Sequence, residues 1–270
     1  MDFIIGMSSF NLKNQIPNDI PVHNGFISPD NLKSQGYINK ISQWTKDHKM
    51  KLNEKKSSVM IFNFSQKQFT TRLKMNNEIL PVVNKVKLLG TTITNDLKWD
   101  ENTSILVKKG NKILQLLRKA SSYTNSINDL TSIYLSHVRV ILEQSCVLWQ
   151  NRITEDNIND LERVQKNACR IILGNKFINY EDSLKMLNLD TLKVRREKLA
   201  LKFGLNCVEN PKTKKLFSLK PKRHKSHTQK ACCNRKEYKF NIMKTNTARL
   251  ARSSVPFLQR LLNKNANGTK

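Results

Sequence analysis

The chain has 270 residues, of which 38% are hydrophobic, and a formal net charge of +27. Its mean hydropathy of -0.54 describes a polar chain with a thin core, long enough for one or two domains, and argues against a membrane protein. A surplus of positive charge this large repels itself unless a polyanion neutralises it, and nucleic acid is the usual polyanion. An anionic membrane is a poorer candidate, because no isolated basic amphipathic helix with a bulky apolar face stands out.

The cysteines and the first residues indicate the compartment. The cysteines are odd in number and mostly lie in helical patterns, which is typical of buried thiols in a reducing compartment rather than of a disulfide framework. Residues 1–10 contain a short apolar run, but they lack the basic start and the cleavage site of a signal peptide. We therefore expect a nuclear or cytoplasmic protein that is not secreted.

The N-terminal third mixes helical and strand patterns. Residues 1–27 show no sustained period and are expected to be irregular. Ser28-Pro29 is a typical helix start, and this helix should end near His48. Strands are expected at residues 57–62 and 86–93, and a hairpin is expected within residues 69–83, with Asn76-Asn77 as its turn.

From Glu101 onward, the hydrophobic residues recur at the spacing of an α-helix. The first of these helices has an apolar face at Leu106, Ile113 and Leu117, and a separate basic stripe at Lys108, Lys112 and Lys119. Further helices are expected at residues 126–145, from the cap Thr154 to Gly174, at residues 181–187 and at residues 192–210. Amphipathic helices with short connections predict a bundle.

The last part of the chain is basic and poor in hydrophobic residues. Residues 211–270 contain 17 Lys and Arg against a single acid, Glu237, which predicts a flexible basic arm. The predicted fold class is therefore α+β. Its parts are an irregular segment (1–27), a small part with a sheet and a hairpin (28–100), a mainly α-helical bundle (101–210) and a basic, poorly ordered C-terminal arm (211–270).

Six segments, in order along the chain, resemble the part of non-LTR retrotransposon reverse transcriptases that follows the catalytic strand. The resemblance is strongest to jockey-like elements and covers about residues 28–262. The segments are Trp44–Asn53 with Lys56-Ser57 after it, Lys87-Leu88-Leu89-Gly90, Leu97-Lys98-Trp99, Leu161–Lys166 with Arg170–Ile172, Leu189–Leu199, and Val255–Leu262.

This resemblance implies that residues 28–100 are the end of the palm, and residues 101–210 the thumb, of an RNA-directed DNA polymerase. Such a polymerase works with divalent metal, expected to be Mg²⁺, held by the aspartates of an aromatic-x-Asp-Asp hairpin. The chain contains no Asp-Asp pair, and the corresponding stretch, residues 17–24, has only Asp19. We therefore expect a truncated remnant that holds no metal and makes no DNA, but binds RNA, DNA or an RNA–DNA hybrid.

Six residues are the candidate nucleic-acid contacts. The resemblance implies that Leu89 and Gly90 lie in the primer-grip hairpin, where backbone approaches the primer end. It also implies that Lys56 lies near the leaving phosphate. The lysines of the basic stripe, Lys108, Lys112 and Lys119, would contact the phosphate backbone. Simpler interpretations exist for five of the six: Gly90 can be a β-bulge, and the four lysines can be solvated surface residues.

Other chemistry-bearing residues are explained by structural roles. The adjacent acids Glu181-Asp182 suit the first turn of a helix, and His137 lies in an apolar stripe that predicts a core histidine. The three tryptophans are expected in the core. The histidines and cysteines between residues 224 and 233 fit no standard zinc module.

Three alternatives remain open. The sequence can be part of a longer, active RNA-directed DNA polymerase, in which case primer extension would be observed. It can be a helical module that holds a protein partner, and salt-resistant capture of a protein would indicate this. It can also be the product of a reading frame without a function.

Overall fold

The computed structural model describes residues 2–7, 31–62, 71–217 and 240–268. The chain forms two compact units, residues 1–102 and residues 103–270. The first unit combines short antiparallel strands with helix, and the second is helical. The predicted α+β class with a helical bundle is therefore confirmed.

The first unit begins with a strand that the sequence interpretation missed. Strand β1 (Asp2–Met7) pairs antiparallel with β2 (Ser57–Phe62), from Asp2 opposite Phe62 to Met7 opposite Ser57. The expectation that residues 1–27 are irregular is therefore wrong for β1, while residues 8–30 lie outside the described part. A short apolar run without alternation is consistent with a strand, but it forms one only when it pairs with a strand that is distant in sequence.

Strand β2 is central to the first unit, because both of its faces are buried. Val59 packs in a cluster with Ile38 of helix α1 (Asn31–Asp47) and with Leu73, whereas the neighbouring Met60 and Phe62 form a second cluster. Successive side chains of a strand point to opposite faces, which explains how one strand serves two clusters. A single turn of 3-10 helix (Glu54–Lys56), capped by the Asn53 side chain, leads into β2.

The predicted hairpin around Asn76-Asn77 is confirmed. Strands β3 (Lys74–Met75) and β4 (Glu78–Ile79) pair antiparallel, and both asparagines have positive φ, as a two-residue turn of this kind needs. The Gln35 side chain in α1 holds the hairpin in place. It accepts from the Lys74 backbone N–H at 2.9 Å and donates to the Lys74 carbonyl at 2.8 Å.

The expected strand at residues 86–93 is a second hairpin. Strands β5 (Lys85–Leu88) and β6 (Thr91–Thr94) pair antiparallel, with Leu89 and Gly90 as the turn. The residue pattern that predicted one continuous strand was wrong, whereas a hairpin is present at Lys87–Gly90, as the resemblance implied. Gly90 is a turn residue rather than a bulge. The physical reason is backbone conformation, since Leu89 (φ 47°) and Gly90 (φ 84°) both lie in the left-handed region, where a strand cannot continue.

The second unit is a set of helices joined by short connections. Helix α2 (Asp100–Ser121) begins before the boundary at residue 102 and ends within this unit. The helices that follow are α3 (Ile127–Ile133), a π-helical segment (Tyr134–Arg139), α4 (Val140–Leu142), α5 (Cys146–Trp149), α6 (Glu155–Leu173), α7 (Tyr180–Met186) and α8 (Leu192–Glu209).

Helix boundaries in this unit follow from their caps. The hydroxyl or amide oxygen of each N-cap residue accepts from the backbone N–H three residues on, which satisfies a donor that the helix leaves unpaired. These N-caps are Ser126, Thr154, Asn179 and Thr191. Gly174 ends α6 with a φ of 51°, as predicted.

The C-terminal residues add two helices that the sequence interpretation did not predict. Helix α9 (Ala248–Ala251) is followed by α10 (Ser254–Gly268), which packs on α8 through a cluster that includes Ala200, Leu258 and Leu262. Residues 218–239, the centre of the expected basic arm, lie outside the described part. Among the helices that the structure describes, none is long and apolar enough to cross a membrane.

Candidate nucleic-acid interface

The six predicted contact residues fall into two separate groups. Lys56, Leu89 and Gly90 belong to the first unit, and the basic stripe belongs to the second. Lys56 is exposed at the end of the 3-10 turn, where its backbone N–H donates to the Asn53 side-chain oxygen at 3.2 Å. Leu89 and Gly90 form the tip of the β5–β6 hairpin.

Leu89 is unusual in both conformation and exposure. It combines a positive φ of 47° with an exposed fraction of 89%, and its neighbour Gly90 has a φ of 84°. A left-handed backbone costs a bulky residue about 1–2 kcal/mol, and an apolar side chain in water offsets none of that cost. The tip therefore presents an apolar side chain at Leu89 and a backbone without a Cβ at Gly90.

The basic stripe lies on the solvent side of α2. Lys108, Lys112 and Lys119 are all exposed, whereas Leu106 and Leu117 are buried. At about 100° per residue, the three lysines fall within about 40° of one another and opposite the buried side. At about 1.5 Å per residue they span about 16 Å along the helix, which is about five phosphates of one strand at 3.4 Å each.

The stripe lysines differ from two lysines of α8 in their charge environment. Residues 102–128 contain five Lys and Arg and no acid, and no ion pair joins the stripe lysines to an acid in the described part. On α8, by contrast, Lys193 pairs with Glu155 at 3.9 Å and Lys198 pairs with Asp190 at 2.5 Å. Among the described residues, no ion pair therefore neutralises the charge of the three stripe lysines.

Helix electrostatics explain part of this charge distribution. Asp100 and Glu101 lie in the first turn of α2 and Lys119 lies in the last turn, the arrangement that stabilises the helix dipole. Lys108 and Lys112 lie in the middle of the helix, where the dipole has little effect. The helix dipole therefore does not explain the position of these two lysines.

Close packing fixes which side of α2 faces outwards. A Cβ placed on Gly110 would lie 3.1 Å from the side chains of both Leu142 and Val164. Since such a distance is tighter than ordinary side-chain contact, α2 approaches α4 and α6 as near as a glycine allows. Leu117, two turns further along the helix, is fully buried and lies on the same side of α2 as Gly110. The lysines are consequently held on the opposite side.

A partly buried polar network in the same unit was not predicted. The Tyr134 hydroxyl donates to the Gln165 side chain, whose amide donates to the Tyr180 oxygen at 2.8 Å, and Tyr180 donates to Glu162 at 2.5 Å. Glu162 also accepts from the Leu192 backbone N–H at 3.2 Å. Burial raises the pKa of both tyrosines, so they act as neutral donors. The network joins α6, α7 and the start of α8 and so stabilises the unit.

The structure shows where the residues with expected structural roles lie. The prediction that His137 is a core histidine was wrong: it is exposed, with the Ser136 hydroxyl 2.8 Å from its Nδ1. Trp99 and Trp149 are buried, and Trp44 is half-buried and stacked on His48. Glu181 and Asp182 lie in the first turn of α7, where hydrogen bonds from Asn179 and Lys185 lower the pKa of Asp182.

No group of three His, Cys, Asp or Glu side chains arranged for a metal ion occurs within the residues that the structure describes. The histidines and cysteines between residues 224 and 233 lie outside that part.

The chain matches no protein-family model, no curated protein and no solved structure. The resemblance to reverse transcriptases therefore rests on the sequence motifs themselves.

Proposed function

We propose that this chain binds RNA, DNA or an RNA–DNA hybrid through the phosphate backbone, without reading base sequence. The observation that carries the proposal is the outer face of α2, where Lys108, Lys112 and Lys119 are exposed and lie in a stretch without acids. The net charge of +27 supports it, because a polyanion relieves the self-repulsion of such a chain. A nuclear or cytoplasmic location fits this partner.

We further infer that the chain corresponds to the palm end and thumb of a jockey-like non-LTR reverse transcriptase. The order of the six motifs supports this assignment, as does the hairpin whose tip is Leu89-Gly90. The proposed activity is binding rather than DNA synthesis, because the chain contains no Asp-Asp pair to hold catalytic metal. Mg²⁺ is expected only in a full-length polymerase.

Affinity at two salt concentrations tests the proposal. The full chain is titrated into labelled RNA, DNA and hybrid oligonucleotides of unrelated sequence at 50 mM and 200 mM salt. If three phosphates of a duplex are contacted, the fourfold increase in salt should weaken the affinity about 40-fold. Further phosphate contacts should make this decrease larger. Affinity that does not change with salt, or that depends on base sequence, would contradict backbone binding.

DNA synthesis is tested with the same preparation. Primer extension on an RNA template is measured with Mg²⁺ and with Mn²⁺, and we expect no extended product from this chain. Extension would show that the chain carries polymerase chemistry and would support the assignment to an active enzyme instead.

A second candidate function is a helical module that holds a protein partner. It is favoured by large apolar side chains that are more than half exposed in the second unit, at Val140, Ile178 and Met186. Exposed apolar groups are common on protein surfaces, so this observation is weaker than the basic stripe. Capture of a protein at high salt, with no nucleic acid retained, would support this candidate over the first.

A further inference from the structure

We propose that the outer face of α2 takes single-stranded nucleic acid, with one base stacked on the ring of Tyr123. The inference rests on the backbone binding proposed above and names the form of nucleic acid that this face prefers. Two observations carry it: an exposed leucine between two lysines on α2, and the exposure of an aromatic ring at the end of that row.

On the outer face of α2, one large apolar side chain lies between two lysines. Lys112, Leu116 and Lys119 follow one another at spacings of four and three, so they form one row on a helix. Leu116 is 49% exposed, although it lies next to the buried Leu117. Cations for phosphates and apolar groups for bases or sugars therefore lie side by side, as in surfaces that follow a single strand.

Tyr123 continues this row beyond the end of α2. The Thr124 backbone N–H donates to the Ala120 carbonyl at 3.1 Å, four residues back, so the helical turn extends past Ser121. The Tyr123 N–H also donates to Ala120, at 3.0 Å. Tyr123 thus lies four residues beyond Lys119, and it is 89% exposed. The exposed ring therefore has a face that is available to stack on an unpaired base.

The preference for single-stranded over double-stranded nucleic acid follows from the part of a base that the Tyr123 ring can contact. In a duplex the bases are stacked on one another, and only their edges are accessible in the grooves. An unpaired base offers its face to an aromatic side chain, and this contact tolerates any sequence. A ring at the end of a basic row therefore favours a single strand, or an unpaired end, over the middle of a duplex.

The experiment compares three probes on the full chain: a labelled dT single strand, a strand of the same length made of abasic sites, and a duplex of the same length. Stacking predicts that the dT strand binds about 5- to 100-fold more tightly than the abasic strand, which keeps the phosphates and lacks the bases. Tyr123→Ala should remove this preference, and Tyr123→Phe should keep it. Duplex affinity should be the same for all three proteins.

A matched control is available on another helix. Phe203 of α8 is also an exposed aromatic residue, at 46%, and Phe203→Ala should leave the preference for dT intact. Circular dichroism of each variant checks that helix content is preserved.

The outcomes separate the inference from the proposed function. Equal, salt-sensitive binding of dT and abasic strands by the wild type would overturn stacking and leave backbone binding in place. A preference that survives Tyr123→Ala would also overturn the role of Tyr123. Binding of none of the probes at low salt would overturn both.

Discussion

The guanidinium group of Arg196 lies over the indole ring of Trp149, with its central carbon 5.6 Å from the ring centroid. Arg196 in α8 is 1% exposed and Trp149 in α5 is fully buried. The indole is itself fixed, because its N–H donates to the Gln144 carbonyl at 2.9 Å. Two nitrogens of the guanidinium, Nε and Nη1, have no hydrogen-bond partner among the described residues. The contact therefore joins α5 and α8, but it buries a positive charge that is poorly hydrogen-bonded.

The first prediction concerns this pair. Arg196→Met should leave the free energy of unfolding unchanged or raise it, because methionine fills the length of the side chain and removes a poorly paired buried charge. The cation–π interaction of Arg196 with the indole stabilises by about 2 kcal/mol, and its removal is offset by the desolvation avoided. Trp149→Ala should lower the free energy of unfolding by about 3–5 kcal/mol, because it leaves a large cavity. Urea denaturation measures both. A decrease of several kcal/mol from Arg196→Met would show that the charge itself is required.

The second prediction uses two glycines that have open space around them. A Cβ added at Gly36 or at Gly174 would have no neighbouring atom within 4 Å. The effect of replacing either glycine with alanine therefore depends on its backbone conformation. Gly36 lies within α1, and Gly36→Ala should stabilise by about 1 kcal/mol. Gly174 has φ 51° and ψ -122°, and Gly174→Ala should destabilise by about 1–3 kcal/mol. Thermal unfolding measures both shifts, and the same sign for the two variants would contradict the backbone assignment of Gly174.

The third prediction concerns the attachment of α10. The buried Asn263 side chain accepts from the Phe240 N–H at 2.9 Å and donates to the Phe240 carbonyl at 3.2 Å. Asn263→Ala would leave both backbone groups buried and unpaired, at a cost of about 2 kcal/mol or more. The neighbouring Lys264 is exposed, so Lys264→Ala should change the free energy of unfolding by less than about 0.5 kcal/mol. Equal effects in urea denaturation would mean that α10 is not held through Asn263.

The fourth prediction concerns the buried thiols. Burial raises the pKa of Cys146 to about 11 and that of Cys169 to about 12. Since the thiolate is the reactive form, both thiols should resist iodoacetamide at pH 8 in the native protein and react in urea. Mass spectrometry of the labelled peptides gives the extent of reaction at each site. Rapid labelling of either cysteine without urea would show that α5 or α6 is not packed as described.

Sequence patterns predicted the elements whose signals are local. The strand at residues 57–62, the turn at Asn76-Asn77, the cap Thr154 and the stop at Gly174 were all correct, because each depends on a few neighbouring residues. The pairing of β1 depends on a partner more than fifty residues away, and a single short apolar run does not contain that information.

The exposure of His137 shows a different limit. An α-helical period places His137 in an apolar stripe, but the backbone from Tyr134 to Arg139 is π-helical. A π-helical segment has wider turns, so it rotates the residues that follow relative to an α-helical register. The buried residues there are Tyr134, Val138 and Leu142, at a spacing of four, and His137 faces solvent.

The candidate site was predictable in its lysines but not in Tyr123. The stripe of Lys108, Lys112 and Lys119 follows from helical spacing, and the structure leaves all three exposed. Tyr123 gives no signal in the sequence, because an aromatic residue at the end of a helix usually packs against its neighbours. Likewise, Gln259 and Asn263 appear as polar surface in the sequence and become buried because they bond to backbone.

The measurement that tests the central claim most directly is the salt dependence of affinity for two matched triple variants. One replaces Lys108, Lys112 and Lys119 with Gln, and the other replaces three ion-paired lysines, Lys185, Lys193 and Lys198. Both variants have the same formal charge. We predict that the slope of log affinity against log salt falls by about 2–3 for the α2 variant and by less than about one for the control. Equal slopes for the two variants would contradict binding through the α2 face.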